Sequence, residues 1–459
     1  MTGCRAGASA MSERIVARYQ SVSGAKPLPS SGMIRLALSA GPGKPPASGS
    51  VQIEWSPYRY RETASSAGLT TVRGIEWGKA YFTDEDGVTR VASEPILREL
   101  AARSYFWRRA WLFDDRDGAL MSLGPADERV SSVVLSPAGA HPLTLRFSRK
   151  DGTLLEVSSP RFQLRFDRPA SFLDASRPGR EFAGTIAWTG LPTGDIPHAE
   201  VGGASVVFAA EAAPLPWTRE AGMLLVPARI GGREVRLAVD ATADGPLRLS
   251  AELAAQLPLK LENDAYGRRV GRGASLELGS AAYRSLSAEV VASLPGGADA
   301  AAGGCIYRET VVELDSAAKT LTLHDPSRWA PPEGYFRVVI DDDGDKPVAI
   351  VRNGSRELRL AEGSDTGSAA LRIAEASADR AGLSKTRTAA GLNWGPQDLP
   401  PLTLEIARGE FDPGWGDDGR MGWEALAPFH VFIDMPRRWT YLRAAGRSAE
   451  PRAAGVPAH

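Results

Sequence analysis

Two short turns contain the acidic residues whose types and spacing could do chemistry. The first reads Asp240-Ala-Thr242 and the second reads Asp365-Thr-Gly-Ser368. A carboxyl group can act as a general acid or base, and two carboxyl groups at hydrogen-bond distance share a proton because they cannot both ionise. An isolated Asp-Thr-Gly sequence is most often a solvated turn. The residues that flank each turn therefore decide whether the two aspartates form a pair.

The flanking residues repeat along the chain. Gly303–Asp315 matches Gly422–Asp434, with the same step from Gly to Asp and an offset of 422 − 303 = 119. Upstream, the run that begins at Gly232 matches the run that begins at Gly354, and each run leads to one of the two aspartate turns. Two copies of this size predict a duplicated domain, because the units of a solenoid are shorter.

The repeated unit resembles the lobes of retropepsin-like aspartic proteases of the pepsin and retroviral type, in which a hairpin strand leads to Asp-Thr-Gly. Both copies also end on the later Leu-x-Leu part of the family signature, at Leu321-Thr-Leu323 and Thr440-Tyr-Leu442. The resemblance covers residues 217–445. It implies two tandem retropepsin-like β-barrel lobes, one over residues 217–331 and one over residues 332–446, that form a bilobed acid-protease domain.

What the resemblance implies for activity is an aspartic-type endopeptidase. One aspartate from each lobe, here Asp240 and Asp365, would activate a water that attacks a peptide carbonyl, without a metal or cofactor. The residues that follow each aspartate would support the pair, namely Ala241, Thr242, Thr366, Gly367 and Ser368. Both lobes lie in one chain, so the resemblance implies that a site does not require an oligomer.

Two positions and one short segment depart from the family pattern. Ala241 lacks the hydroxyl that braces the lobes, and Thr242 stands where glycine lets the backbone approach closely. Glu362-Gly-Ser364 stands where apolar residues precede the aspartate. These departures predict impaired catalysis. They leave open a catalytically inactive protein that binds a peptide or an apolar ligand in the same cleft, and a third alternative in which the N-terminal domain is the working part.

Residues 51–212 are predicted to form an antiparallel β domain. Short β-type runs recur between turns such as Asp84–Gly87, and the segment Ser93–Trp107 has a cap-like Ser, an early Pro and helical apolar spacing. This combination of a helix and strands resembles the curved half-barrel of lipoprotein carriers. The flanking segments 1–50 and 447–459 are predicted to be flexible or disordered, with a short helix over Ser12–Tyr19. The predicted strands lie at Val51–Trp55, Leu69–Trp77, Arg129–Leu135, Leu143–Phe147, Phe162–Phe166, Gly184–Trp188 and Ala204–Ala209.

Composition and missing motifs exclude other classes of function. The chain has 54 Lys+Arg against 55 Asp+Glu, so no electrostatic footprint for nucleic acid is expected. Five scattered histidines and two cysteines predict no metal site, and the acidic run Asp341–Asp345 lacks the later Glu of a calcium loop. Serine-hydrolase, zinc-protease and dinucleotide-binding motifs are missing. The expected partner is a peptide or protein substrate, and the 48 Gly and 33 Pro favour a mainly β fold.

Location is predicted from two weaker patterns. No apolar run is long enough for a transmembrane segment, and the sequence as given shows no signal peptide. Met1-Thr-Gly-Cys4 matches the last four positions of a bacterial lipoprotein cleavage box. Together with the resemblance to lipoprotein carriers, this match predicts a periplasmic or cell-envelope location.

Overall fold

The computed structural model describes residues 3–39, 48–92, 94–160, 162–168, 171–174, 182–188, 205–240, 245–264, 267–343, 346–364, 369–408 and 418–445. The described residues up to 188, together with Lys260–Arg272, form one compact unit, and the remaining described residues from 205 onward form a second. The fold is mainly β, which confirms the fold class predicted from the sequence. No helix in these ranges has the length and apolar character needed to cross a membrane.

The first unit contains two helices and a single large sheet. Its elements in chain order are α1 (Gly3–Ser23), β1 (Gly32–Ser39), β2 (Ser48–Ser56), β3 (Arg59–Ser66), β4 (Leu69–Glu76), β5 (Lys79–Thr83), β6 (Thr89–Val91), α2 (Glu94–Trp107), β7 (Leu120–Leu123), β8 (Val130–Ser136), β9 (Leu143–Ser148), β10 (Leu154–Ser159), β11 (Phe162–Arg168), β12 (Ser171–Asp174) and β13 (Phe182–Trp188).

Every neighbouring pair of strands in this sheet is antiparallel. The order is β6-β5-β4-β3-β2-β1-β13-β12-β11-β10-β9-β8-β7, so β1 pairs with β13 in the middle of the sheet. Strand β9 shows why one face is covered, because its residues alternate between buried and partly exposed. The helix predicted over Ser93–Trp107 and six of the seven predicted strands are confirmed here, within one or two residues at most ends.

Apolar residues from both helices and from the strands form the core of the first unit. Val16 of α1, Leu100 and Trp107 of α2, and Trp55 and Phe147 of the sheet belong to one buried cluster. The prediction of a flexible segment over residues 1–50 is therefore wrong for α1 and β1. Side chains at helical spacing in α1, and alternating buried side chains in β1, give both elements an apolar face that the core buries.

The described chain from residue 205 onward contains the repeated sequence, and within this stretch Lys260–Arg272 belongs to the first unit. Its elements in chain order are β14 (Ser205–Phe208), β15 (Leu215–Pro216), β16 (Thr218–Glu220), β17 (Met223–Ile230), β18 (Arg233–Val239), β19 (Leu247–Ser250), α3 (Ala251–Ala255), β20 (Glu262–Asn263), β21 (Arg269–Leu278), β22 (Ala281–Val291), β23 (Ala300–Ala302), α4 (Gly304–Tyr307), β24 (Val311–Asp315), β25 (Thr320–His324), β26 (Phe336–Asp343), β27 (Lys346–Asn353), β28 (Arg356–Ser364), β29 (Leu371–Ala374), α5 (Glu375–Ala381), β30 (Thr388–Ala389), β31 (Leu392–Trp394), β32 (Gln397–Asp398), β33 (Leu402–Ala407), β34 (Gly419–Gly422), α6 (Trp423–Leu426), β35 (Phe429–Asp434) and β36 (Trp439–Ala444).

The same sequence of strand pairings occurs on both sides of residue 331. On the N-terminal side, β18 runs parallel to β23, β19 runs antiparallel to β23, and β19 runs parallel to β22. On the C-terminal side, β28 runs parallel to β34, β29 runs antiparallel to β34, and β29 runs parallel to β33. We call residues 217–331 the first half and residues 332–446 the second half.

Strand β14 corrects the predicted domain boundary. The sequence analysis placed residues 204–209 in the N-terminal domain, which was expected to end at residue 212. The strand is present, but Ser205–Phe208 pairs with β22 of the second unit. The alternating pattern of a strand does not specify which sheet the strand joins, so the domain boundary could not be predicted from residues 204–209. The predicted tail over residues 447–459 lies outside the described residues.

Candidate functional site

Asp240 lies directly after the last residue of β18. The strand approaches through Leu237, Ala238 and Val239, which are fully buried, and pairs in parallel with β23 up to Val239 opposite Ala302. The Asp240 backbone N–H then donates to the Ala302 carbonyl at 3.0 Å. The residue is 8% exposed. An apolar strand thus places a carboxyl group at the edge of a buried core, where burial strengthens electrostatic interactions.

The corresponding strand of the second half has one further pair and one bulged residue in its paired segment. In β28, Glu362 lies opposite Met421 and Ser364 lies opposite Gly422, with an irregularity between them at Gly363. Gly363 has φ +67°, and a Cβ atom there would lie 2.7 Å from the Trp423 ring. Only glycine fits this position, because it takes positive φ readily and has no Cβ.

Asp365 follows Ser364 directly in the sequence, as Asp240 follows Val239. The pairing in the first half ends at Val239, the residue before Asp240, whereas in the second half it extends one register position further, to Ser364, the residue before Asp365. The candidate residues Asp365, Thr366, Gly367 and Ser368, together with Ala241 and Thr242, lie outside the described residues. Of the seven residues predicted for the site, the structure therefore places Asp240.

A second pair of aspartates, which the sequence analysis missed, makes the same contacts in both halves. The carboxylates of Asp299 and Asp418 accept hydrogen bonds from the backbone N–H of Arg236 at 2.8 Å and of Arg359 at 2.9 Å. Each aspartate N–H also donates back to the carbonyl of the same arginine, at 3.0 and 2.8 Å. The offset 418 − 299 is 119, the offset found between the Gly-to-Asp stretches, and could have identified this pair.

These two aspartates also hold the strand that follows each aspartate turn. The carbonyl of Asp299 accepts from the N–H of Ser250, and that of Asp418 accepts from the N–H of Ala374, both at 2.9 Å. The two aspartates thus join β18 to the end of β19 in the first half, and β28 to the end of β29 in the second half. This contact holds the two strands of each half together at the ends that lie away from the turn between them.

The two halves meet through a direct pairing of β24 with β35. The two strands are antiparallel, with Glu313 opposite Phe432. These residues are also equivalent in the repeat, since 432 − 313 is 119. Equivalent residues can face each other in an antiparallel pair only where a two-fold axis passes between the strands. The pairing therefore has local two-fold symmetry at this point.

A carboxylate between two histidines lies on this pairing. Glu313 accepts from His324 Nε2 at 2.7 Å and from His430 Nε2 at 2.8 Å, and the Tyr335 hydroxyl lies 2.8 Å from His430 Nδ1. Burial would raise the pKa of Glu313, but the hydrogen bonds to both histidines lower it to about 2. The network ties β25 of the first half to β35 of the second.

Glu362, which was predicted only to depart from the apolar family pattern, is a buried carboxyl group. It is fully buried, and burial raises its pKa to about 8, against a smaller lowering by the Thr440 hydrogen bond. The Thr440 hydroxyl lies 3.3 and 3.4 Å from the two carboxyl oxygens. Burial raises the pKa of the Tyr307 phenol, and the charges of Glu362 and Asp240 raise it further.

This arrangement is suited to acid–base chemistry with carboxyl groups in a buried environment. Within the described ranges, no group of three or more His, Cys, Asp or Glu side chains is arranged to hold a metal ion.

In the second unit a cavity of about 260 Å³ lies beside β25, between Phe208, Ser280 and Trp329. In the first unit a cavity of about 310 Å³ lies beside α1, with Glu13, Gln20 and Arg116 among its lining residues.

The crystal structure of the aspartic proteinase from Irpex lacteus aligns with 51% of this chain and 97% of its own length, with a TM-score of 0.35 and 14% sequence identity. No protein-family profile matches the sequence. No curated protein matches it at a significant level.

Proposed function

We propose that the second unit is a two-lobed domain of the aspartic-peptidase type that hydrolyses peptide bonds through Asp240 and Asp365. The observation that carries this proposal is the two-fold pairing of two halves whose strands pair in the same order. In the sequence, Asp240 directly follows β18 of the first half, and Asp365 directly follows the equivalent strand β28 of the second. Two copies of one lobe related in this way bring equivalent turns to the same axis. A dyad of carboxyl groups needs that symmetry.

The chemistry needs one ionised and one protonated carboxyl group. The ionised aspartate takes a proton from a water held between the two, and the water oxygen forms a bond to the peptide carbonyl carbon. The protonated aspartate donates a hydrogen bond to the developing oxyanion. Breakdown of the tetrahedral intermediate cleaves the C–N bond, and a proton passes to the leaving amine. Protons and charge balance within the pair, so no cofactor is required.

A second candidate function is binding without cleavage. It is favoured by the register of β28, whose pairing extends to Ser364 and so delays Asp365 by one position relative to Asp240. The substitutions at positions 241 and 242 act in the same direction, because they remove a hydroxyl and a flexible glycine from the first turn. In this alternative the same cleft holds an extended peptide or an apolar ligand.

Cleavage of an unfolded protein between pH 3 and pH 8 tests the two candidates. We expect slow cleavage at acidic pH that is abolished by Asp240→Asn, by Asp365→Asn and by a transition-state-mimicking inhibitor of aspartic proteases. Asp379→Asn, an exposed residue of α5, is the matched control and should cleave like the parent. Cleavage that survives both active-site substitutions would contradict the proposal, and calorimetric binding of the inhibitor without any cleavage would support the second candidate.

Restoring the first turn tests whether its departures limit the rate. The double substitution Ala241→Thr and Thr242→Gly recreates the family pattern, and we expect faster cleavage that Asp365→Asn removes. A parent that already cleaves as fast as the restored variant would contradict the predicted impairment.

For location, we propose the cell envelope, on the residues Met1-Thr-Gly-Cys4 and on the resemblance of the first unit to lipoprotein carriers. Mass spectrometry of Cys4 after expression from an upstream start would detect a lipid. Recovery of that product only from the cytoplasmic fraction would contradict the proposal.

A further inference from the structure

Glu362 occupies a position that is apolar in the other half. Val239 lies opposite Ala302 in the first half, and Glu362 lies opposite Met421 in the second. Ala302 and Met421 are equivalent, since 421 − 302 is 119, so Glu362 is the register equivalent of Val239. Both side chains are fully buried. A carboxyl group thus replaces an isopropyl group directly beneath the end of the strand that leads to Asp365.

The surroundings of Glu362 offer little to a negative charge. Thr440 of β36 provides a hydroxyl at 3.3–3.4 Å. Tyr307 of α4 faces the same region with its hydroxyl buried and without a hydrogen-bond partner among the described residues. Asp240, at the end of β18, also raises the pKa of the Tyr307 phenol. Met421, across the β34 pairing, is apolar. No cation in the described part of the chain contributes to the pKa of Glu362.

We propose that Glu362 is a positioning residue for the Asp240–Asp365 site, holding the end of β28 in place through Thr440 while its carboxyl is neutral and loosening that strand end when it ionises. The proposal rests on the proposed function, because it concerns regulation of the same site. In this proposal the end of β28, from which the chain continues to Asp365, is held in place in the acid form of the protein.

The physical reason is the cost of a buried charge. An ionised carboxylate that leaves water needs a partner charge or several hydrogen bonds, and one hydroxyl at more than 3.2 Å supplies neither. The strand can relieve the charge only by letting water reach Glu362. Gly363 and Ser364 are the next residues of β28, so this movement would displace the strand end from which the chain continues to Asp365.

The direction of the pH dependence follows from the two protonation equilibria. In the unfolded chain the Glu362 carboxyl ionises near the ordinary glutamate pKa of 4.5, whereas the raised pKa in the folded state is about 8. The folded state therefore holds an extra proton between these values, and stability falls as pH rises through this window. The fall should be up to about tenfold in the folding equilibrium constant per pH unit, and it should stop above pH 8.

Two substitutions at this position and one control test the proposal. Glu362→Gln keeps the size and the hydrogen-bonding capacity but has no charge, and Glu362→Val introduces the residue of the equivalent position. Glu357→Gln changes an exposed glutamate of the same strand and serves as the control. Urea unfolding of the full chain from pH 4 to pH 9 is combined with hydrogen exchange of Arg356–Ser364, corrected for the intrinsic exchange rate at each pH.

We expect the parent and the control to lose stability and β28 protection between pH 4.5 and pH 8, and both Glu362 variants to lose far less. In cleavage assays the alkaline limb of kcat should move to higher pH in Glu362→Gln, with KM unchanged. Equal pH dependence of unfolding and exchange in parent and Glu362→Gln would overturn the proposal, whatever the activity. A parent that cleaves nothing but shows the predicted stability profile would instead contradict the hydrolase function and support the charge-dependent seating of β28.

Discussion

The substitution Glu62→Gln tests the strongest ionic cluster of the first unit. Glu62 of β3 is 2% exposed and accepts from Arg103 of α2 through two hydrogen bonds, at 2.7 and 2.9 Å. Arg73, which lies opposite Glu62 on β4, donates a third at 2.7 Å, and the Tyr60 hydroxyl also contacts the carboxylate. The substitution keeps the shape of the side chain but removes the charge that pairs with a buried guanidinium.

Two independent arguments give the size of the effect. Breaking a buried ion pair from one side costs about 3–5 kcal/mol, because the remaining charge stays buried. Burial would raise the pKa of Glu62, but Arg103 and Arg73 lower it from 4.5 to about 2. At about 1.36 kcal/mol per pKa unit, this lowering corresponds to about 3 kcal/mol of stability at neutral pH. We therefore expect Glu62→Gln to lower the free energy of unfolding by about 3 kcal/mol.

The pH dependence gives this prediction its sharpest check. A lowered pKa in the folded state stabilises the protein above the unfolded value of 4.5, and this stabilisation is lost as pH falls toward 2. The difference between parent and variant should thus be full at pH 6 and small at pH 2.5. Hydrogen exchange of β3, β4 and α2 in the full chain measures this difference in stability. The control is Glu76→Gln, which removes a more exposed ion pair with Arg59. A loss below about 1 kcal/mol at pH 6, or a loss equal at both pH values, would refute the reasoning.

The remaining predictions concern the second unit. We expect Glu313→Gln to lower stability at pH 6 by about 1 kcal/mol, after allowance for solvent screening of a partly exposed network. The loss should be smaller at pH 2.5, because the lowered pKa of about 2 makes the stabilisation by Glu313 fade as pH falls below 4.5; an unchanged urea midpoint at pH 6 would contradict this. We expect Gly363→Ala to cost about 2–4 kcal/mol, from positive φ and from the clash with Trp423. Gly354→Ala, which has positive φ but open space, should cost only about 1 kcal/mol, and equal losses at the two glycines would show that the clash is absent.

Much of the fold was readable because its strands alternate or are continuously apolar. Strands such as Leu143–Ser148 carry their own pattern, and the helix Glu94–Trp107 carries both its start signals and its apolar spacing. Strand Gly32–Ser39 was missed although it alternates too, because its neighbours are rich in Gly, Pro and Ser. Its partner β13 lies more than 140 residues along the chain, and no local pattern specifies such a pairing.

The candidate site was predictable only where the repeat made it visible. Asp240 was found because its flanking residues recur, and Asp299 and Asp418 could have been found from the same offset. Glu62 and Glu362 could not, because a glutamate in an alternating or apolar run is read as a surface residue until its partners are known. Their roles depend on Arg103 and Thr440, which come from distant parts of the chain.

For the proposed function, the register of β28 is the feature that separates cleavage from binding. Arg248 of β19 and Arg372 of β29 are equivalent residues, because they lie opposite the equivalent residues Ala301 and Arg420. Asp240 precedes Arg248 by eight positions, whereas Asp365 precedes Arg372 by seven. The second turn is therefore shorter after its aspartate and begins later. Restoring residues 241 and 242 leaves this delay untouched. Cleavage gained by that restoration would mean that the 365–368 turn itself compensates for the delay, whereas inhibitor binding without cleavage in the restored variant would locate the defect in the register of β28.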